Sequence, residues 1–187
     1  MNPEITSALL RTAPFLMVIV VVGILTKRKK LEFKDLDIQK PYSINSYLIW
    51  TIGFLFYTFL TEFTLYTFNI LEVSKWSHGI SPSVILIFGI VILAPIAEEL
   101  LFRGLILNLL IKKKISIHSA IFIQACFFVL LHNFAYENTL SSNIGIVQSL
   151  LDAILFGYAR KYTKSIYTPI TMHITGNAIA IIERFML

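Results

Sequence analysis

Long apolar runs separated by short polar segments make up most of the chain. A helix needs about 20 mostly apolar residues to cross the roughly 30 Å hydrocarbon core of a bilayer. The pattern predicts six such spans, over 12–26, 47–71, 82–111, 117–135, 144–157 and 166–186. We therefore expect an all-α fold, a polytopic membrane helical bundle of about six transmembrane helices.

The composition agrees with this fold class. Hydrophobic residues make up 56% of the 187 residues and charged residues 14%, and the mean hydropathy is +0.74. Soluble domains have about 45–50% apolar and about 25% charged residues. A soluble globule, a disordered chain and a nucleic-acid-binding protein are therefore excluded. Cys126 is the single cysteine, which excludes an intrachain disulfide and a cysteine-based zinc site.

The basic residues alternate between the two ends of the expected bundle. Of the 16 Lys and Arg residues, Arg103 lies inside a span, and twelve fall between spans one and two, three and four, or five and six, with Arg160 in the last group. The other end holds only Arg11, Lys75 and Arg184. Cytoplasmic loops carry an excess of Lys and Arg, so we expect the basic end in the cytoplasm and both termini outside. We expect the longest polar segment, 27–46, to be solvated.

Three charged residues lie in the middle of the third expected span. Ionisable groups at this depth cost at least about 2.5–3.5 kcal/mol each, which makes them functional candidates. Glu99 and Arg103 are four residues apart, share a helix face and can pair. Glu98 is turned about 100° from that face and has no such partner, so it is a candidate general base. Pro95 removes a backbone hydrogen bond just before the glutamates.

Two further spans contribute polar groups to the bundle. His132 lies near the end of span four, and His173 and Asn177 share one face of span six. Polar groups within a membrane must be satisfied inside the protein, so we expect these helices to bring them together. Taken singly, a histidine or asparagine in a span is more often a helix–helix hydrogen-bonding group. We expect Glu62 and Asp152 to cap, pair or line the same wet cavity.

The ordered set of polar residues resembles the CAAX-protease and bacteriocin-processing family (CPBP, or Abi) of intramembrane endopeptidases. The family motifs Glu-Glu-x-x-x-Arg, Phe-x-x-x-His and His-x-x-x-Asn all occur in the family order. They are carried by Glu98, Glu99 and Arg103, by Phe128 and His132, and by His173 and Asn177. The resemblance extends from about residue 82 onwards. We therefore divide the chain into two N-terminal transmembrane helices with a basic cytoplasmic loop, 1–81, and a four-helix catalytic core, 82–187.

The resemblance implies hydrolysis of a peptide bond inside or beside the membrane. Glu98 would be the base, with His132 as its partner on the attacking water, and His173 and Asn177 would stabilise the oxyanion. The substrate would be a peptide or protein, bacteriocin-like or prenylated, and the role would be bacteriocin processing or self-immunity. The protein would be a multi-pass protein of the bacterial cytoplasmic membrane, in contact with lipid and not with nucleic acid.

The remaining expectations concern two residues that support the base and the presence of a metal. The resemblance implies that Glu99 and Arg103 orient the base. We expect no cofactor, because the sequence has neither a His-Glu-x-x-His zinc helix nor a Gly-x-Ser-x-Gly elbow. One glutamate and two histidines are also a ligand set for catalytic zinc. A metal-dependent alternative would therefore use Glu98, His132 and His173.

Two functions of other classes fit the same polar cavity. A non-catalytic immunity or scaffold protein would bind a peptide or membrane partner there. It would keep a protective phenotype when Glu98 is replaced by Gln or His173 by Ala. A small transporter or proton-coupled channel would use the buried carboxylates and histidines as a relay, although the sequence shows no inverted repeat.

Overall fold

The computed structural model describes residues 2–70, 73–132 and 136–186. Over these ranges the fold consists of long helices without strands, which confirms the all-α bundle. The six helices are α1 (Pro3–Lys27), α2 (Ile44–Thr67), α3 (Ile80–Lys112), α4 (Ile117–Leu130), α5 (Leu140–Thr163) and α6 (Tyr167–Met186). They match the six expected spans one to one. The expected ends of spans two and four, Leu71 and Ala135, lie outside the described residues.

The outward-facing surface of the bundle is that of a membrane protein. Helices α1, α2, α3 and α5 are each long and apolar enough to cross a bilayer. Helix α4 is apolar but has 14 residues, about 21 Å at 1.5 Å per residue. Leu10, Met17 and Phe56 are each more than 60% exposed, whereas several charged side chains are buried. This inside-out distribution is that of an integral membrane protein.

Polar side chains mark where the helices begin. Asn2 accepts a hydrogen bond from the first turn of α1, and Ser43 and Ser116 do the same for α2 and α4. Thr139 and Ser142 form a reciprocal capping box at the start of α5. Such caps satisfy the backbone N–H groups that a helix start leaves unpaired. For this reason α1 and α5 begin nine and four residues before the apolar runs from which we expected them.

Helix α3 changes its hydrogen-bonding pattern twice. The π-helical segments Gly89–Leu93 and Leu100–Ile106 flank the α-helical turn Ala94–Glu99. Segments of π-helix are rare in proteins, and those that occur are often found at functional sites. Pro95 stands at the start of the intervening turn, where its missing N–H leaves an unpaired carbonyl in the turn before it. The motif glutamates therefore lie in a short α-helical turn between two wider ones.

The segment between α1 and α2 keeps its basic side chains exposed, as expected, while its middle folds as a cap on the bundle. Leu36 in its middle is fully buried, in a cluster with Val22, Leu100 and Ile166. Its backbone also pairs with the start of α6, because the N–H of Ile166 donates to the carbonyl of Asp37 at 2.9 Å. The segment thereby packs against both α3 and α6.

Arg160 differs from its expected role as a solvated loop charge. It lies in the last turn of α5 and is buried. Its Nε donates to Asp37 Oδ2 at 2.8 Å, and its guanidinium also donates to the carbonyls of Arg103 and Asp35. The apolar run ends at Gly157, but the helix continues because this buried ion pair accommodates the charge. Arg160 thus ties the cap to the π-helical part of α3.

The two ends of the bundle carry the charges in the predicted arrangement. The α1–α2 segment, the α3–α4 turn and the α5–α6 turn lie at one end, which we call the basic end. There Lys112 Nζ lies 3.0 Å from Asp35 Oδ1, and this hydrogen bond lowers the pKa of Asp35. Arg11, Trp76 and Arg184 line one cavity at the opposite end, which we call the far end.

Candidate active site

Glu99 and Arg103 form a fully buried ion pair, as their spacing predicted. Arg103 Nη1 donates to Glu99 Oε1 at 2.9 Å, and both side chains are 0% exposed. Arg103 Nη2 donates to the carbonyl of Ala153 on α5 at 3.1 Å. The guanidinium also lies 4.8 Å from the ring centre of Phe128 on α4. The arginine of the first motif thus packs on the aromatic residue of the second motif.

His173 of the third motif lies between the two glutamates. Its Nδ1 is 2.9 Å from Glu99 Oε1, and its Nε2 is 3.7 Å from Glu98 Oε2. A carboxylate that is ion-paired with Arg103 can only accept, so Nδ1 of His173 donates to Glu99. This hydrogen bond fixes the ring with Nε2 towards Glu98. Glu99 thus accepts from Arg103 and from His173, and its expected role in orienting Glu98 stays a prediction.

Asn177 satisfies the carbonyl that Pro95 leaves unpaired. In a π-helical pattern the N–H of residue 95 would donate to the carbonyl of Ile90, and proline has no N–H. Asn177 Nδ2 donates to that carbonyl at 2.8 Å. This contact joins α6 to α3 one turn beyond His173. The spacing of the third motif thereby places one residue on each side of the interruption in α3.

His132 lies two residues beyond the end of α4. Its Nδ1 is 2.7 Å from the carbonyl of Phe128, which can only accept, so Nδ1 donates. Its ring centre is 4.6 Å from that of Phe128. The second motif therefore holds the histidine by both its backbone and its aromatic residue.

One cavity, of about 270 Å³, lies between α2, α5 and α6. It is lined by His132, His173 and Asn177 and also by Glu62 and Asp152. We call it the acidic cavity. It confirms the expectation that Glu62 and Asp152 line the same cavity as the motif residues.

A second cavity, of about 380 Å³, lies between α1, α3 and the end of α4. Glu98 and His132 line it, and the rest of its wall is apolar, including Phe15 and Val18 of α1 and Leu101 of α3. We call it the apolar cavity. His132 lines both cavities, so it lies between the cavity that contains Glu98 and the acidic cavity.

Two residues that contact the site were missed by sequence reasoning. The ring of Phe156 stacks on His173 with 5.3 Å between ring centres. Gln124 is fully buried, and its Nε2 donates to the same carbonyl of Ala153 as Arg103 does. A polar Gln within the apolar run of α4 was the available signal for Gln124. The role of Phe156 depends on how α5 and α6 pack, which the sequence pattern does not specify.

The described residues do not form a metal site. Within residues 2–70, 73–132 and 136–186, no three His, Cys, Asp or Glu side chains are placed to hold one metal ion. The zinc alternative with Glu98, His132 and His173 therefore has no support among these residues, and the absence of a cofactor stays a prediction.

Comparison with known proteins identifies one family. The family model described as Type II CAAX prenyl endopeptidase Rce1-like matches residues 79–179, more than half of the chain. The match includes all three motifs and begins close to the boundary at residue 82 that the sequence suggested. No curated protein and no solved structure matches the chain.

Proposed function

Since the chain belongs to the Rce1-like family of type II CAAX prenyl endopeptidases, we propose that it hydrolyses its substrate without a metal. As a CAAX-protease-like intramembrane endopeptidase, it would use Glu98 as the base. The observation that carries this proposal is that Glu98 and His132 line one cavity while His173 lies 3.7 Å from Glu98. Three motifs that are distant in sequence thus supply a base and hydrogen-bonding groups around one point.

In the first step, Glu98 and His132 activate a water molecule. The water oxygen attacks the carbonyl carbon of the scissile bond, and its proton passes to the Glu98 carboxylate. The Glu98 side chain is 18% exposed, so it is accessible from the apolar cavity. On collapse of the tetrahedral intermediate the C–N bond breaks, and Glu98 returns the proton to the leaving amine. The base is regenerated, and no redox partner is needed.

His173 and Asn177 are the groups that would stabilise the oxyanion. Nδ1 of His173 donates to Glu99, which holds Nε2 beside Glu98. The ring would donate to the oxyanion from Nε2 when that nitrogen also carries a proton. Asn177 donates one amide hydrogen to Ile90 and keeps another. Donors fixed in a site shielded from water stabilise an oxyanion better than water does.

The test is cleavage of a peptide library by the purified protein and by its Glu98→Gln variant. Loss of a general base lowers kcat by about 10²–10⁴-fold. Glu32→Gln is the matched control, since this carboxylate is exposed at the basic end and lines neither cavity, and we expect it to cleave at the parental rate. Equal rates for Glu98→Gln and the parent would show that Glu98 is not the base. Activity lost with a chelator and restored by zinc would contradict the metal-free mechanism.

For the biological role, we propose peptide processing or self-immunity in a bacterial cytoplasmic membrane, with a bacteriocin-like peptide as substrate. The one-sided distribution of basic segments supports a cytoplasmic basic end. A protein that protects by cleavage loses protection in Glu98→Gln cells, whereas an immunity or scaffold protein keeps it. A peptide that is cleaved only when prenylated would instead assign a prenylated substrate.

A further inference from the structure

The acidic cavity contains more carboxyl groups than the proposed reaction uses. Glu62 of α2 and Asp152 of α5 line it beside the motif histidines, and none of its lining residues is Lys or Arg. Glu62 Oε1 accepts a hydrogen bond from Gln148 at 3.0 Å. Within the described part of the chain Asp152 takes part in no hydrogen bond or ion pair. The hydroxyl of Thr58, on the same wall, has no hydrogen-bond partner among the described residues.

The cavity extends from the proposed catalytic centre towards the far end of the bundle. Glu62 lies five residues from the far end of α2, about 8 Å at 1.5 Å per residue. Asp152 and His173 lie twelve and thirteen residues from the far ends of α5 and α6, about 18–20 Å. The two carboxylates therefore follow one another along a path that ends at His173, and Asp152 is the nearer to the centre.

The cavity walls suit a side chain with an apolar stem and a charged tip. Phe54 and Phe156 line the cavity together with the two carboxylates. Long basic side chains bury their methylene stem on apolar surface and place their charge on polar groups. A volume of about 270 Å³ is at the small end of ligand pockets, so it takes one side chain rather than a folded ligand.

We propose that the acidic cavity is a substrate subsite for a lysine or arginine side chain next to the scissile bond, held by Asp152 and Glu62. This inference rests on the proposed function, because it places the basic residue beside a bond that is cleaved at Glu98 and His132. A carboxylate inside a membrane protein is stabilised by a cation. No Lys or Arg side chain lines the cavity, so the substrate side chain would be the basic group in direct contact with Asp152 and Glu62.

The test compares peptides that differ at one position. A fluorogenic peptide that the protein cleaves is made with Lys, norleucine or Glu at each position flanking the cut. We expect the parent to prefer Lys to norleucine by about tenfold or more in kcat/KM at one position, and to reject Glu. Asp152→Asn brings the Lys-to-norleucine ratio close to one, and Glu62→Gln lowers it. Glu32→Gln removes one exposed carboxylate at the basic end, away from the cavity, and keeps the parental ratio.

A binding measurement separates this inference from the proposed function. In the Glu98→Gln background, fluorescence anisotropy reports binding of the Lys and norleucine peptides without turnover. We expect tighter binding of the Lys peptide and loss of the difference when Asp152→Asn is added. Cleavage and binding without preference for Lys would overturn the subsite and leave the protease intact. Selective binding of Lys peptides without cleavage by the parent would overturn the proposed function and keep the cation site.

Discussion

Removing both partners of the buried Glu99–Arg103 ion pair should destabilise the protein by less than the sum of the two single replacements. Glu99→Gln keeps the size of the side chain and an oxygen that accepts from His173 Nδ1, so it removes mainly the charge. It leaves the guanidinium of Arg103 without a counter-charge at 0% exposure. Arg103→Met leaves the Glu99 carboxylate with the hydrogen bond from His173. The double variant leaves neither charge behind.

The magnitude follows from the geometry. Two unit charges 2.9 Å apart attract by about 6 kcal/mol at an effective dielectric constant of about 20. Breaking a buried pair from one side typically costs about 3–5 kcal/mol, which we expect for Glu99→Gln. Arg103→Met should cost roughly 1–3 kcal/mol, because the remaining carboxylate keeps one donor. The double variant should be less destabilised than the sum of the two by about 2 kcal/mol or more.

The assay is the free energy of unfolding in detergent micelles, measured by circular dichroism along a denaturant titration. Glu98→Gln is the matched control, because that carboxylate has a contact of only 3.7 Å with His173 and is partly exposed. We expect it to cost about 1 kcal/mol or less in stability while it abolishes cleavage. Additive effects of Glu99→Gln and Arg103→Met, within about 0.5 kcal/mol, would refute the assignment of a coupled buried pair.

Two further predictions concern helix packing and orientation. A Cβ at Gly89 would overlap Thr12 Cγ2 on α1, so Gly89→Ala should lower the free energy of unfolding by about 1–3 kcal/mol, and adding Thr12→Ala should restore part of it. In intact cells of a Cys126→Ser background, a membrane-impermeant maleimide should label Lys75→Cys at the far end and not Lys40→Cys at the basic end.

Each of these predictions has an internal control. Gly53→Ala in α2 serves for the first, because a Cβ there meets nothing within 4 Å, and it should be neutral or slightly stabilising. A Gly89→Ala protein as stable as the parent would show that α1 and α3 are not in close contact there. For the second, both cysteines should react after the membrane is permeabilised. Labelling of Lys40→Cys alone in intact cells would show that the protein has the opposite orientation in the membrane.

Local patterns were sufficient for the helices and for one contact of the site. The apolar runs predicted six helices because the length of a span is set by the bilayer. The Glu99–Arg103 pair was predictable because residues four apart on one helix are neighbours whatever the rest of the fold does. Prediction failed where a charged side chain pairs with a residue distant in sequence, as Arg160 pairs with Asp37. Nothing near Arg160 in sequence indicates that partner.

The inter-helix contacts of the site required the structure. Which glutamate His173 faces depends on the rotation of α6 against α3, and the motif spacing does not specify it. The same holds for Glu62 and Asp152, which lie on two different helices and meet in one cavity only after packing. Sequence reasoning could name them as unusual, because carboxylates within spans are costly, but could not place them relative to the histidines.

The two residues of the third motif also stabilise the packing of α6 against α3. Its histidine donates to the carboxylate of an ion pair that has no contact with water, and its asparagine donates to a carbonyl that Pro95 leaves unpaired in α3. An unsatisfied polar group within the bilayer is costly, so α6 is held against α3 at this height and rotation. The groups proposed to hold the oxyanion are therefore positioned by the same hydrogen bonds that stabilise the fold. Preorganisation of this kind is what makes such donors effective in catalysis.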